Sequence, residues 1–342
     1  MRQREHERTP AALAGDSAAG SRAWRLDRAG AYLRDSHRLR QIGLPLTVVA
    51  LFAVFALTSD VFFTVRNFQN VGLQAAALAL VAFGQCFVVL TAGIDLSVGS
   101  TAALVSVVGA IAMRDSGLAA GVAAGLFTGL GVGIVNALVV TVLGVAPFVA
   151  TLAMLSIASG LALSISGGTP ITGVPEAFSD LAGQRVAGIP VLAVIAIVLF
   201  LVAWLVLRFT RFGRYVYAIG GNAEAARLSG IRVAAVTFAT YAICSTFAAA
   251  GGLVLTARIA SGQPTTGTSL ALESIAAVVL GGVSLFGGRG SIVGVAFGVV
   301  FVTVLANGLN LLGVSSYTQL LVLGAALIAV LAIDRRISGE TR

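Results

Sequence analysis

The sequence contains no lysine, so all 22 of its basic residues are arginines. Acids number only 14 in 342 residues, and charged residues make up 11% of the chain. Soluble domains carry roughly 25%. So few charges cannot cover a water-facing surface, which argues against a soluble enzyme. Histidine is nearly missing, since His6 and His37 both fall near the N-terminus. The apolar stretches therefore hold no base for Ser–His or Cys–His catalysis and no imidazole for zinc. The two cysteines, Cys86 and Cys244, sit inside apolar runs and read as small buried residues, with no disulfide framework. HExxH and CxxC are absent. The glycine-rich GGVSLFGGRGS at 281–291 lacks the GK[ST] ending and the preceding strand of a phosphate loop. No cofactor is expected on this chain. The net charge of +8 is read as membrane-side charge, with no nucleic-acid partner.

What remains is apolar: 58% of residues are hydrophobic, and 41 are glycine. Small residues let membrane helices approach closely. Residues 1–42 stand apart, with nine arginines, five acids and no apolar periodicity, and read as a disordered cytosolic tail. The charged region is too long for a signal peptide. From residue 43 to 334 come ten apolar stretches near spanning length: about 44–64, 71–91, 97–113, 118–142, 146–166, 190–208, 234–257, 271–286, 291–311 and 317–334. The third and eighth are short. The expected fold is an all-α polytopic transmembrane bundle.

The arginines test the span count. An even number of spans returns both termini to one side. With that side cytosolic, it holds the nine tail arginines together with Arg208, Arg211, Arg214, Arg227, Arg232, Arg289, Arg335, Arg336 and Arg342. Only Arg66, Arg114, Arg185 and Arg258 face the other way. Basic residues concentrate in cytoplasmic loops, so the distribution supports ten spans with both ends inside and a short cytosolic tail at 335–342.

Two connections are long. Residues 167–189, with Glu176 and Asp180, face outward on this reading. Residues 209–233 face the cytosol and contain NAEAARLSG, a short helix with Asn222 as N-cap, Glu224 in the first turn and Gly230 at the C-terminal end.

Inside the spans the only acidic candidates are Asp95, in GIDLSVGS at 93–100, and Glu273. Asp95 and Ser97 are expected to cap the third span, and Glu273 to sit favourably in a first turn. The amides Gln74, Gln85, Asn136, Asn307, Asn310 and Gln319 suit either interhelical hydrogen bonds or a path for a polyhydroxylated solute. So little buried charge argues against ion-coupled secondary transport, although neutral ligands can bind sodium.

Five segments in order are GIDLSVGS, PFVATLAMLSIASGLAL at 147–163, GRYVYAIGGNAEAARLSGI at 213–231, LESIAAVVLGGVSLFGGRGSIVG at 272–294 and NGLNLLGVSSYTQLLVLGAALIAVLAID at 307–334. Together they resemble the ribose-type permeases of ATP-binding-cassette importers, within the superfamily that includes branched-chain amino-acid permeases. The likeness runs from about residue 44 to 334. It implies a sugar permease with two copies forming one pathway, a separate cytosolic ATPase that binds the ATP, and an extracytoplasmic sugar-binding protein. It also implies that 209–233 is the coupling loop, with Arg214, Gly221, Asn222, Glu224, Ala225 and Arg227 near the ATPase. Asp95, Asn136 and Asn307 are the candidates for the pathway or its gates. An amino-acid substrate is the alternative within the family. Val283 replaces a threonine frequent in relatives, a position that would tune substrate choice if it faced the path.

Overall fold

The computed structural model describes residues 44–338, which are mostly helical. Leu44–Leu46 go with the N-terminal segment, and one compact unit begins at Thr47. The arginine-rich tail, His6, His37 and the last four residues lie outside the described range.

The long helices follow the apolar stretches: α1 Leu44–Thr58, α2 Val65–Leu90, α3 Val98–Ser116, α4 Leu118–Thr141 and α5 Pro147–Ser166. A four-residue helix α6 (Glu176–Ser179), a 3-10 turn at Asp180–Ala182 and a two-stranded hairpin follow, with β1 Arg185–Val186 antiparallel to β2 Ile189–Pro190. The chain continues as α7 Val191–Phe209, α8 Arg211–Gly221, α9 Ala223–Leu228, α10 Val233–Ile259, α11 Leu270–Leu280, α12 Ile292–Leu311 and α13 Ser316–Ser338. Seven of these, α2, α3, α4, α5, α7, α10 and α12, are long and apolar enough to cross a membrane.

Several boundaries differ from the sequence expectation. The first stretch stops being helical at Thr58, where a turn carrying Phe62 folds back onto Phe52 and Phe55 with ring centroids 5.6 and 5.7 Å apart. The third span is not short, since α3 runs 19 residues. The eighth is shorter than its apolar run: α11 ends at Leu280, where Gly281 and the positive-φ Gly282 turn the chain away. Both long connections hold more structure than expected, namely α6 with the hairpin, and α8 ahead of α9.

Helix α2 is the centre of the unit. Every residue from Ala76 to Leu90 is buried, and α10, α12, α11 and α7 pack around it. A helix apolar on all faces belongs inside a bundle. By contrast α4, α5 and α7 expose most of their surface, including Phe127, Phe148, Ile157 and Val198. In a membrane such faces meet lipid, which costs nothing. Helix α4 keeps four glycines at four-residue spacing on its buried side, Gly121, Gly125, Gly129 and Gly133. At Gly133 an added Cβ would lie 2.9 Å from the Tyr241 carbonyl and from Ala242 Cα. The stripe lets the α4 and α10 backbones meet almost directly.

Candidate functional site

Six of the residues expected to couple to a partner cluster on α8 and α9. The Thr210 hydroxyl accepts from the Gly213 N–H and starts α8. Arg214 is exposed and donates to the Thr210 carbonyl at 3.3 Å. The Asn222 side chain accepts from the Ala225 N–H at 2.9 Å, as its place before α9 predicts. Glu224 and Arg227 pair with each other at 2.7 Å on an open surface, with side chains 63% and 68% exposed. Such a pair adds little stability, so both remain available to a partner. Gly221 is exposed at the α8–α9 junction. Gly230 follows α9 with φ +81°, one residue beyond the Ser229 cap.

Behind this surface α8 meets two turns backbone to backbone. One is Thr91–Ser97 after α2, and the other is Gly281–Ser291 after α11. The Gly288 N–H donates to the Leu90 carbonyl at 2.9 Å. A Cβ on Gly220 would collide with both groups of that bond. A Cβ on Gly287 would lie 2.7 Å from the Ala92 nitrogen and 2.9 Å from Gly220 Cα. Gly287 and Gly288 both have positive φ, at +82° and +68°, so the second turn needs glycine for conformation as well as space. The Tyr217 hydroxyl donates from α8 to the Gly290 carbonyl at 3.1 Å. Burial pushes the Tyr217 phenol up to about 12, so it remains a donor throughout the neutral range. Val283 is buried against Gly290.

The Thr91–Ser97 turn reaches into the bundle. Gly93, Asp95 and Ser97 are all buried. Neither Asp95 nor Ser97 caps α3 through its side chain. This corrects the sequence expectation: Asp95 Oδ1 instead accepts the Ser97 N–H at 2.9 Å and the Ser97 hydroxyl at 2.6 Å, closing a local turn. Asn136 of α4 donates to Ser97 Oγ at 2.9 Å. From α2 the Gln85 amide, oriented to suit its neighbours, donates to the Asp95 carbonyl and accepts the Asp95 N–H, both at 3.2 Å. Thr151 of α5 donates to the Ile94 carbonyl at 3.3 Å. Tyr241 and Cys244 of α10 lie near the same carboxyl. Asp95 Oδ2 and the Tyr241 hydroxyl are buried without a well-formed hydrogen bond among the described residues. The turn is thus tied to α2, α4 and α5.

Asn307 does not join this group. It exchanges two hydrogen bonds of 3.0 Å with Asn67 of α2. Asn67 lies 23 residues before Leu90, or about 35 Å along the helix axis. The pair therefore clasps the opposite end of α2 to α12. Asn67 went unrecognised because only a three-dimensional partner gives its amide a role, whereas Gln85 was among the amides singled out in the sequence. The arrangement offers a chain of positional contacts and no nucleophile paired with a base. Among the described residues, no group of three His, Cys, Asp or Glu side chains could hold a metal.

A bundle of apolar helices with a structured surface helix seated on paired turns fits a helical membrane protein. Residues 67–331 match the family described as the permease component of the branched-chain amino acid transport system, and the chain belongs to that family. Among its relatives, the ribose import permease protein RbsC of Bacillus subtilis is 43% identical over 302 residues, covering 87% of this chain and 94% of the relative. RbsC of Escherichia coli K12 is 41% identical over 298 residues, 85% and 92% of the two chains. The D-allose transport system permease protein AlsC of the same organism is 36% identical over 294 residues, 85% and 89%. No solved structure matches.

Proposed function

We propose that this chain is the membrane-spanning permease subunit of an ATP-driven importer for a monosaccharide, a ribose-like pentose or a related sugar. It carries no catalytic site and no cofactor of its own. The observation that carries this reading is its 41–43% identity to ribose import permeases across 85–87% of its length. Seven helices are long and apolar enough to cross by themselves; this reading takes α1, α11 and α13 as the further crossings that bring the count to ten, and the arginine distribution supports both termini in the cytosol of the cell that carries this inner-membrane protein. A cytosolic ATPase subunit docks on α8 and α9 through Arg214, Gly221, Asn222, Glu224, Ala225 and Arg227. Its closure moves α8 against the two glycine turns, and Asp95, Ser97 and Asn136 convey the movement to the pathway helices. A sugar-binding protein delivers solute from outside, and a second permease copy completes the path. Asn307 holds the outer ends of α2 and α12 together.

Co-reconstitution with an ATPase subunit and a sugar-binding protein tests this. Radiolabelled ribose should accumulate only with ATP and persist under a protonophore. Uptake without the ATPase that an ionophore abolishes would overturn the proposal in favour of an ion-coupled carrier. ATP-driven uptake of a branched-chain amino acid in place of ribose would keep the mechanism and replace the substrate.

A further inference from the structure

A half-open cavity of about 480 Å³ lies between α4, α7 and α10, and it is separate from the polar turn and from α8. Its walls include Leu126 of α4, Ile195 and Leu199 of α7, and Ala250 and Leu253 of α10. Phe178 and Leu181, from the short α6 segment and the turn after it, close one end. Phe178 is 6% exposed, so this segment is drawn down onto the helices by its ring. The one polar residue in the lining, Thr246, spends its hydroxyl on the Ala242 carbonyl at 2.8 Å and offers the cavity a methyl group. Nothing here recognises a sugar, whose hydroxyls would go unpaired.

We infer that this cavity is a binding site for one phospholipid acyl chain. Three observations agree. The walls belong to helices long and apolar enough to span a membrane, so hydrocarbon chains are the solvent at the opening. The size fits: an apolar cavity of about 150 Å³ holds a benzene ring, so 480 Å³ accommodates roughly eighteen carbons by the same scale. The depth fits too. The lining on α10 runs from Thr246 to Ala257, about 16 Å of helix rise, which is one leaflet of a hydrocarbon core about 30 Å thick. The Phe178–Leu181 cap marks the headgroup end. The chain therefore enters from the leaflet on the side of residues 176–190, and its terminal methyl lies near Thr246. An unfilled cavity would forfeit the dispersion contacts of its walls.

The test uses the full chain in nanodiscs containing a phospholipid with a photoactivatable diazirine near the end of one acyl chain. Illumination should place adducts on Leu199, Thr246 or neighbouring positions. Ala250→Phe, which fills the cavity, should reduce those adducts at least fivefold while leaving adducts on the exposed outer faces of α4 and α5 unchanged. Ile195→Phe, from the opposite wall, should do the same and guards against a folding defect in the first variant. In lipid-free detergent both variants should melt no lower than the native chain, because the added ring replaces the missing hydrocarbon. Adducts undiminished in both variants, or labelling no denser in the cavity than on the outer faces, would overturn the assignment. Crosslinks from a diazirine-bearing residue at Leu199 to a second copy of the chain would also overturn it, showing a protein occupant.

Discussion

Gly220→Ala places one methyl group on the hydrogen bond that joins the two glycine turns. The added carbon would collide with the Leu90 carbonyl and the Gly288 nitrogen, both backbone atoms that cannot swing aside like a side chain. Losing that bond with its groups buried costs about 1–3 kcal/mol, and forcing volume into packed space costs about 1–3 kcal/mol. The better helix propensity of alanine returns at most about 1 kcal/mol. The balance is about 1–5 kcal/mol against the native junction. Since a tenfold change needs about 1.4 kcal/mol, the middle of that range corresponds to a fall of more than tenfold in sugar transported per ATP hydrolysed. The control is Gly131→Ala, on an exposed face of α4 where an added Cβ meets nothing within 4 Å. It should transport normally. Uptake and phosphate release measured in the same proteoliposomes, with insertion checked by size-exclusion chromatography, give the ratio directly. If correctly inserted Gly220→Ala transports within twofold of the control, the backbone junction does not carry the coupling.

Other substitutions probe separate links. Glu224→Arg replaces an exposed ion pair with like charges, so thermal stability should change by less than about 0.5 kcal/mol while ATPase-dependent uptake drops; equal uptake would remove Glu224 from the docking surface. Asp95→Ala strands the Ser97 N–H and hydroxyl, a cost of about 1–3 kcal/mol for each unsatisfied group, and should lower the melting temperature more than Asp95→Asn, which keeps an acceptor; equal losses would refute the turn-closing role. Asn67→Leu should destabilise by about 1–3 kcal/mol, and Asn67→Leu with Asn307→Leu should cost less than the sum of the singles; strict additivity would disprove the reciprocal pair. For topology, single cysteines at Arg185 and Arg289 should react with impermeant maleimide from opposite sides of the membrane. Because Cys86 and Cys244 are buried, the native background is low.

The sequence foretold much of the bundle because lipid imposes a long apolar run on every crossing helix. The α9 helix was equally readable, since its Asn222 cap is a local device. The four-residue spacing of Gly121, Gly125, Gly129 and Gly133 on α4 went unread in the sequence, although small residues at that interval mark a close-approach face. Helix α8 escaped notice because Gly213, Gly220 and Gly221 depress its propensity, and what holds it is Tyr217 and the turns it rests on. The end of α11 was misplaced because hydropathy continues through Val283 and Leu285, whereas the backbone turns at Gly282. For the polar site, Asp95 and Asn136 were identifiable as polar residues in apolar surroundings, but their link through Ser97 is not. That link joins residues 39 apart in sequence, and Asn307 pairs across 240. Periodicity reports the face a residue occupies and says nothing of which helix lies opposite.

The junction of α8 with the two turns is built from main chain, through Leu90, Gly220, Gly287 and Gly288. A joint of main chain has few side chains to adjust, so it tolerates little change at those positions. The outward surface of α8 and α9, with Arg214, Glu224 and Arg227, touches none of it. On the proposed function, recognition and transmission would therefore be separable in this chain: the outer face could be redesigned to fit a different motor while the junction beneath it keeps its geometry.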